Sequence, residues 1–527
     1  MKKAIALLLS LALSLPLVSC GNSGKPSGSG GGSGSAAAET VDTLNVGISK
    51  EPKTLDPQIH SNVSARFILQ NLYRSLVNYQ TDGTIGYEVA DSHTVSEDNL
   101  TYTFHLRDGV TFHDGTPVTA EDVKYTFERI MDPANGATYR SYFDGVLESV
   151  NVVDERTVEF KLSEVCAPFY EYLSMPESAI VSKAWMEAGN DIATAENGCG
   201  PYTMKSWDKG LSIELAAYDG FYGEKAKTEN VSFSFYSDET TRANALRTGE
   251  IDIMDYANAN SVIQFDQESD FSVYSRQGAY MCLQINCNPD SPLSDPRVRQ
   301  AIAYAIDRQA VIDAAFSGRG TVLNGFPSVA GQNGYNGELD NYFSLDLDKA
   351  KQLMSEAGYA DGFTCTLLST GDYAFHEQTA LVAQDCLKKI GIECTVDLPD
   401  WATRMERANK GDYDLMVTGS IGKVTDMDWC RYNYYTGDVR MDSAPYFSDA
   451  KIDELLDLGR STLDENERAK IYLELRERAL ELSPLVFICF RESAFITGNY
   501  VENFTFQSGS LSEQAGMCLS QIVVQKH

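Results

Sequence analysis

The sequence is poor in basic residues for its length: 43 Lys and Arg stand against 75 Asp and Glu in 527 residues, a formal net charge of −32. Nucleic-acid-binding surfaces need clustered Lys and Arg to neutralise phosphates, and docking on anionic lipid needs the same side chains. The charge therefore argues against nucleic acid and against a broad lipid-docking surface. It indicates a well-solvated, self-repelling exterior instead.

Residue patterns for metal or nucleophilic chemistry are also missing. The 6 His and the dispersed Cys give no zinc spacing, and there is no CxxC pair. His376 and Glu377 are not followed by the second His of an HExxH motif, because position 380 is Ala. Gly422 and Lys423 do not complete a phosphate-binding loop, because position 424 is Val. We expect no catalytic residue, no metal and no cofactor, and hence no enzyme.

Long apolar runs are confined to the N-terminus, so no later segment is expected to span a membrane. Lys2 and Lys3 precede an apolar stretch over residues 4–18 that is short enough for a signal peptide. The following Ser19 and Cys20 complete a sequence that resembles the lipobox of bacterial lipoproteins. The resemblance implies a lipoprotein signal peptide over 1–20 and a lipid anchor on Cys20. Residues 21–40 are rich in Gly and Ser and are predicted to form a flexible tether.

The 11 Cys show no disulfide framework in their spacing once Cys20 is set aside. An extracytoplasmic location permits disulfides, but the sequence leaves their pairing open. Cys282 and Cys489 lie in apolar, strand-like runs and are predicted to be small buried hydrophobic residues.

Periodicity predicts both strands and helices in the first half of the chain, with an α+β module over 80–198. After a first strand at 43–48, the spacing predicts a helix over 64–79. Residues 100–106 alternate apolar and polar side chains, as a half-buried strand does. Thr119 is predicted to cap a helix that runs to about Met131.

Later segments indicate a parallel sheet covered by helices. One helix is predicted from Ser294 onward, with Gly318 closing it or the turn after it. Helical and strand patterns then alternate, which favours βα units. The helices are predicted at 346–357, 377–390 and 400–410, and the strands at 363–369, 392–398 and 413–418. Ligands of open α/β sheets lie beyond the carboxyl ends of strands, which directs attention to the loop after 413–418.

Four segments, in this order, resemble the peptide/nickel-type bacterial extracellular solute-binding proteins, called family 5. They are residues 87–130, the Gly-Cys-Gly-Pro-Tyr run at 198–202, residues 294–312 and residues 411–419. From the first to the last, they span most of the chain after the tether. The resemblance implies an α/β, two-lobed, periplasmic-binding-protein-like (type II) fold with an extra inserted α+β domain. By analogy, lobe I comprises 41–79, 199–285 and 486–527, the inserted domain 80–198, and lobe II 286–485, with hinge strands crossing near 284–288 and 483–486.

The same resemblance implies the substrate-binding lipoprotein of an ABC importer. Such a protein captures a small ligand by clam-shell closure and delivers it to the permease and ATPase complex. Oligopeptide or dipeptide is the leading ligand class; a glycoside, a metal chelate, an opine-like compound or a sensor role are alternatives. We expect a monomer that binds no nucleic acid and is anchored outside the cytoplasm, in the periplasm or on the outer face of the plasma membrane.

The ligand site is expected in the loop after the strand at 413–418. In peptide-binding relatives, an Asp in this loop pairs with the ligand's free amine, but here the aligned position is Lys423. Either the loop shifts so that Asp426 takes that role, or Lys423 faces an anionic group, or neither residue contacts the ligand. The remaining candidate ligand contacts are Lys50, Glu51, Trp401, Arg404 and Trp429.

Overall fold

The computed structural model describes residues 40–59, 63–329, 332–420, 425–437, 439, 441–506 and 519–526. The strands of the first half are β1 (Thr40–Val41), β2 (Thr43–Ile48), β3 (Val77–Tyr79), β4 (Ile85–Tyr87), β5 (Ala90–Val95), β6 (Thr101–Leu106), β7 (Leu147–Asp154), β8 (Thr157–Leu162), β9 (Tyr202–Asp208), β10 (Ser212–Ala217), β11 (Asn230–Phe235) and β12 (Ile253–Met254). Those of the second half are β13 (Phe271–Ile285), β14 (Gly320–Val322), β15 (Phe363–Leu368), β16 (Ile392–Asp397), β17 (Leu415–Ser420), β18 (Leu485–Gly498), β19 (Val501–Glu502) and β20 (Val523–Gln525).

The helices divide between the two halves in a similar way. Those before β13 are α1 (Val63–Leu72), α2 (Ala120–Met131), α3 (Phe169–Tyr172), α4 (Lys183–Glu187), α5 (Glu239–Arg247) and α6 (Ala259–Phe265). Those after it are α7 (Pro296–Ala305), α8 (Arg308–Phe316), α9 (Leu347–Glu356), α10 (Ala374–Lys388), α11 (Trp401–Lys410), α12 (Arg431–Tyr434), α13 (Ala450–Ser461) and α14 (Glu465–Leu482). None of the described helices is long and apolar enough to cross a membrane.

An 11-stranded sheet runs through both halves in the order β16-β15-β17-β13-β18-β12-β2-β11-β10-β9, with β14 paired to β18. Its centre is the long antiparallel pair β13 and β18. One end of this pair contacts β17, through residues 280–285 of β13. The other end contacts β12, through Ile496 and Thr497 of β18. These two strands therefore join the parallel strands β15–β17 to the group around β2.

A separate 4-stranded antiparallel sheet, in the order β5-β6-β8-β7, lies in the segment predicted to be the inserted domain. The predicted alternation at 100–106 is confirmed, because Tyr102, Phe104 and Leu106 are buried. The predicted cap of α2 is confirmed as well: Thr119 forms a capping box with Asp122.

The predicted alternation of helices and strands after residue 346 is confirmed, and its sheet is parallel. β15 pairs in parallel with β16 on one side and with β17 on the other. Side chains from these strands and from β6, including Leu367, Leu415 and Phe104, belong to one hydrophobic core. Leu44 of β2 and Phe67 of α1 belong to another core. The residue numbers at which the lobes begin and end stay a prediction.

The helix predicted over 64–79 is too long. Helix α1 ends at Leu72, and Val77 begins a strand. The Leu72 carbonyl accepts from the backbone N–H of Gly200, 2.9 Å away, and the Arg74 carbonyl accepts from Ile180. These distant segments take the carbonyls that a longer helix would need, so the helix stops although the apolar spacing continues.

The single helix predicted from Ser294 toward Gly318 is two helices, α7 and α8. The break lies at Asp307, whose carboxylate accepts from the backbone N–H of Ala310 and so caps α8. The buried guanidinium of Arg308 fills the break and donates to the carbonyls of Ala303 and Ile306. The strand that begins next to the predicted hinge crossing at 483–486 is β18, which continues as far as Gly498.

Candidate functional site

The carboxyl ends of strands from the two parts of the large sheet meet at one place. Lys50 follows β2, Tyr373 and His376 follow β15, and Trp401 and Arg404 begin the helix after β16. The Nζ of Lys50 donates to the Tyr373 hydroxyl, 3.3 Å away. This hydrogen bond connects residues 323 positions apart in the chain. The region is therefore the edge at which an α/β sheet places a ligand.

Aromatic side chains form the floor of this region. The rings of Trp401 and Tyr373 meet edge to face, with centroids 5.3 Å apart. His376 lies between Phe375 and Trp401, at 4.8 Å and 5.8 Å from their centroids. Tyr373 and His376 are 6.1 Å apart. Such contacts fix the ring planes and give a firm surface for ligand atoms to pack on.

Three cations lie against these rings. The guanidinium of Arg404 is 4.8 Å from the Trp401 centroid, and that of Arg491, on β18, is 4.8 Å from Phe375. Lys50 Nζ is 5.9 Å from the Tyr373 centroid. The name aromatic–cation cluster is used below for these three cations together with the rings of Tyr373, Phe375, His376 and Trp401. Cations over aromatic faces gain electrostatic stabilisation without a carboxylate.

The guanidinium of Arg404 is anchored by a backbone carbonyl, and neither guanidinium group is neutralised. Arg404 is 1% exposed and donates through Nη2 to the Val417 carbonyl, 2.7 Å away. The Nε atoms of both Arg404 and Arg491 are buried without a hydrogen-bond partner. Within the described chain, no carboxylate oxygen lies within 4.0 Å of either guanidinium or of Lys50 Nζ. Burial lowers the pKa of Arg404 and of Arg491, yet arginine stays protonated at neutral pH.

Carboxylates do occur near the cluster, at its margin. The negative charge of Asp442 acts on Arg404 and partly offsets the effect of burial on its pKa. Asp372 accepts a hydrogen bond from the backbone N–H of Trp401, at 2.8 Å. Glu492, next to Arg491 in sequence, is bound by Arg319. The net charge at the centre of the cluster is therefore positive, although the formal net charge of the whole protein is −32.

The imidazole of His376 is neutral in this setting. Burial, followed by the charges of Arg404 and Arg491, lowers its pKa well below the usual histidine value. His376 is 7% exposed, and its Nδ1 atom has no hydrogen-bond partner. An unpaired buried nitrogen of this kind costs free energy unless a ligand or water satisfies it.

The remaining sequence candidates lie elsewhere. Glu51 accepts from the indole Nε1–H of Trp207, at 2.9 Å, and from the backbone N–H of Gly210. Its carboxylate therefore ties the loop after β2 to the β9–β10 turn. Cys20 and Lys423 fall outside the residues that the structure describes.

Asp426 is held in an internal ion pair. One carboxylate oxygen is 2.8 Å from Nη1 of Arg468, and the other accepts from Nη2 of the same side chain at 2.9 Å. The carboxylate also accepts from the backbone N–H of Asp428 and so caps a short helix. A ligand amine would have to compete with these donors. The amine-binding role considered for Asp426 stays a prediction.

Trp429 is 2% exposed and packs within the core. Its ring centroid is 5.9 Å from that of Tyr280 and 5.9 Å from that of Phe326. Its indole Nε1 has no hydrogen-bond partner within the described chain. Among the candidates of the sequence, the structure brings together Lys50, Trp401 and Arg404.

Sequence reasoning missed Tyr373, His376 and Arg491. His376 was considered only for a zinc motif, although its place just after a predicted strand was informative. Arg491 gave a clearer signal, because it interrupts the apolar run of β18. A charged residue within such a run requires either a partner or a function.

A cavity of about 360 Å³ lies elsewhere, between the segment predicted to be the inserted domain and the second half of the chain. Its lining includes Tyr142, Asp144, Arg431 and Tyr435. Arg431 is engaged there by Asp457. In the part of the chain that the structure describes, no group of three or more His, Cys, Asp or Glu is arranged to hold a metal ion.

Known proteins share this fold across almost the whole described chain. AgaA, a binding protein from A. tumefaciens R10 solved with agropinic acid, is 42% identical, with a TM-score of 0.84 over 92% of this chain and 99% of its own. DppA from Helicobacter pylori, solved with the peptide STSA, is 28% identical, with a TM-score of 0.81 over 92% and 99%. These similarities confirm the two-lobed, type II periplasmic-binding-protein fold.

Sequence comparison agrees with the structural one. The dipeptide-binding protein of Escherichia coli (strain K12) is 28% identical over 451 residues, which are 79% of this chain and 83% of that protein. Residues 84–442 match the family model described as "Bacterial extracellular solute-binding proteins, family 5 Middle". The match covers more than half of the chain and includes β15–β17 with Tyr373, His376, Trp401 and Arg404. The chain therefore belongs to the family 5 bacterial extracellular solute-binding proteins, a family of ABC-transporter substrate-binding proteins.

Proposed function

We propose that this protein captures a small ligand bearing a carboxylate group and delivers it to an ABC importer. The observation that carries the proposal is the pair of guanidinium groups, Arg404 and Arg491, that face the same aromatic floor without a carboxylate partner. Guanidinium groups bind carboxylates through charge-assisted hydrogen bonds. The ligand's acidic group occupies the space between them, and its remaining atoms pack on Trp401 and Tyr373.

Electrostatics supports an anion at this place. Arg404 is almost completely buried, and a buried charge is costly unless another group compensates it. The rings compensate part of that cost, and a ligand carboxylate compensates more of it. Lys50 adds a third positive charge from the opposite side of the cleft. Lys423, considered from the sequence as a partner for an anionic group, belongs to the same proposal.

His376 refines the proposed recognition. Its neutral imidazole does not repel the two guanidinium groups as a charged one would. Its Nδ1 is buried without a hydrogen-bond partner, and a hydrogen bond with a ligand offsets the free-energy cost of that burial. We propose that Nδ1 exchanges a hydrogen bond with a polar atom of the ligand. The similarity to AgaA, which was solved with agropinic acid, supports an acidic ligand.

The contact between Lys50 and Tyr373 supports a clam-shell movement. It joins the loop after β2 to the loop after β15, so it can form only when the two lobes are close. A ligand between the lobes would select this closed arrangement by contacting both sides. The predicted lobe boundaries belong to this proposal.

The cellular setting is proposed from the family and the N-terminal sequence. The family is a solute-binding transport family whose members work with an ABC permease and ATPase, and its homologues are periplasmic or extracytoplasmic. We propose that the protein acts there as a monomer without enzymatic activity, held to the membrane by a lipid on Cys20. Replacing Cys20 with Ser should release the protein from the membrane fraction, whereas replacing Ser19 with Ala should not.

A peptide held by its free amine is the second candidate. The similarity to DppA and to the dipeptide-binding protein of Escherichia coli supports it. In that case Asp426 would have to leave Arg468 to take the amine, or another acidic group would have to serve. The two candidates differ in which end of a bound peptide the protein recognises: the C-terminal carboxylate or the N-terminal amine.

Thermal unfolding with chemically matched ligands separates the candidates. The protein without its signal peptide would be tested with agropinic acid and with one dipeptide in three forms: free, N-acetylated and C-amidated. Ligand at about 100 times its Kd adds about 2.7 kcal/mol of stability, a readily visible shift. We expect agropinic acid, or the N-acetylated dipeptide, to stabilise the protein and C-amidation to abolish the effect of the dipeptide. Stabilisation that survives C-amidation but is lost on N-acetylation would instead support the amine-anchored peptide.

A further inference from the structure

Two cysteines lie side by side on neighbouring strands. Cys365 of β15 and Cys394 of β16 are direct register partners in a parallel pair, and their Sγ atoms are 3.4 Å apart. Other buried thiols are placed differently: those of Cys199 and Cys430, for example, donate to backbone carbonyls. Within the described chain, the cysteines are present as free thiols.

The backbone at this pair suits a covalent link. Neighbouring strands of a sheet lie about 4.8 Å apart, which falls within the range of Cα separations spanned by disulfides. A disulfide bond is about 2.05 Å long, so the two sulfurs, 3.4 Å apart, need to approach by about 1.4 Å. Side-chain rotation can supply a movement of this size without a shift of either strand.

A disulfide bond between these two cysteines would stabilise the edge of the large sheet. β16 is the terminal strand of the 11-stranded sheet, with β15 as its neighbour. An edge strand has only one partner to hold it. Cys394 is buried, whereas Cys365 is partly exposed. A reagent from solution would therefore reach Cys365 first.

We propose that Cys365 and Cys394 form a disulfide bond once the protein has left the cytoplasm. The oxidant is an exported protein disulfide of the thiol–disulfide oxidoreductase class. Cys365 loses a proton and attacks that disulfide, forming a mixed disulfide and expelling one thiolate of the donor. Cys394 then loses its proton and displaces the second donor sulfur. Two thiols are oxidised, and one donor disulfide is reduced to two thiols.

The environment determines how this reaction proceeds. The hydrogen bond with Cys394, and then burial, raise the pKa of the Cys365 thiol. Because the thiolate is the attacking species, uncatalysed oxidation at neutral pH is slow and becomes faster as the pH rises. The bond, once formed, closes the chain segment that contains α10 and restricts the unfolded state. The oxidised protein should therefore unfold at a higher temperature than the reduced one.

Peptide mapping tests the proposal on the full-length protein, exported by a bacterial host with its own N-terminal segment. The sample is denatured without reductant, alkylated and digested. We expect a cross-linked peptide pair containing Cys365 and Cys394, lighter than the sum of its parts by two hydrogen atoms. In Cys365→Ser, Cys394 should become alkylated, and the Tm should no longer depend on reductant. Cys282→Ser, at a buried cysteine of β13, is the matched control and should leave the link intact.

A different result would overturn the proposal. If both cysteines of the wild-type protein are fully alkylated as exported, and remain so after incubation with a glutathione redox mixture at mildly alkaline pH, the pair does not form a disulfide. A cross-link from either cysteine to another position would overturn it equally. This outcome is independent of the ligand, because Cys365 and Cys394 do not belong to the aromatic–cation cluster.

Discussion

Asp426 and Arg468 form a buried ion pair with 2.8 Å between a carboxylate oxygen and Nη1. Both side chains are 6% exposed. The pair holds the segment after β17, in which the sequence predicts the ligand site, against helix α14. The cations of the aromatic–cation cluster lack such partners, and this contrast is the reason for assigning an acidic ligand.

Replacing Asp426 with Asn should reduce the stability of the protein strongly. The change leaves the guanidinium of Arg468 buried without its countercharge, which typically costs about 3–5 kcal/mol. Denaturant unfolding of the variant and the wild type would measure the loss. Asp361→Asn is the matched control, because Asp361 is exposed, and it should change the stability little. An Asp426→Asn variant of normal stability that no longer binds ligand would favour the amine-binding role.

We expect Glu171 to make the stability of the protein depend on pH. Its buried carboxylate accepts from the Tyr79 hydroxyl at 2.8 Å and from the backbone N–H of Asp426 at 2.9 Å. Burial, followed by the charge of Asp426, raises the pKa of Glu171 from about 4.5 to about 7. The folded state then holds a proton that the unfolded state releases between these values. The resulting stability is complete below about pH 4.5 and is lost as the pH rises through about 7.

Glu171→Gln should therefore flatten the stability profile between these pH values. One group of this kind contributes a slope of at most about 1.4 kcal/mol per pH unit. Urea unfolding of the wild type and the variant across this range would give the difference in slope. Glu393→Gln, on the exposed face of β16, serves as the control. Parallel profiles for wild type and Glu171→Gln would show that Glu171 does not titrate in this range.

Gly200→Ala should destabilise the fold through a backbone clash. A Cβ atom at position 200 would lie 2.5 Å from the Asn71 carbonyl oxygen and 2.6 Å from the Leu72 carbonyl carbon. Overpacking of this kind costs about 1–3 kcal/mol, and here the obstacle is backbone that cannot rotate away. Gly437→Ala is the matched control, since a Cβ there meets nothing within 4 Å. Equal melting temperatures for the two variants would contradict the proposed close approach.

Local patterns predicted much of the fold because short-range physics determines it. The alternation in β6, the capping box of α2 and the βα alternation after residue 346 depend on neighbouring residues only. The end of α1 could not be predicted in this way. It depends on the hydrogen bond from Gly200, a residue far along the chain, to the Leu72 carbonyl. The break at Asp307 could have been predicted from the sequence. Asp is a common N-cap residue, whose carboxylate accepts from the backbone N–H three positions later.

The site was harder to predict than the fold, because separate strands build it. Lys50 was a candidate because it follows the first strand, and Trp401 and Arg404 because they begin the helix before the strand at 413–418. Arg491 comes from the long strand β18, and only the packing of its guanidinium on Phe375 associates it with the others. Glu51 and Trp429 were suitable candidates by chemistry, but an internal hydrogen bond engages the first and core packing the second.

Calorimetric titration of Arg491→Gln tests the central claim most directly. The titrant would be the acidic ligand that stabilises the wild type best, alongside its amide or ester. Arg297→Gln, at an exposed arginine paired with Asp295, is the control. We expect Arg491→Gln to lower the affinity for the acid about 10- to 100-fold and to leave the affinity for the neutral analogue unchanged, while the control binds as the wild type does. Unchanged affinity of Arg491→Gln for the acid, in a protein of normal stability, would contradict the assignment of a carboxylate to this cluster.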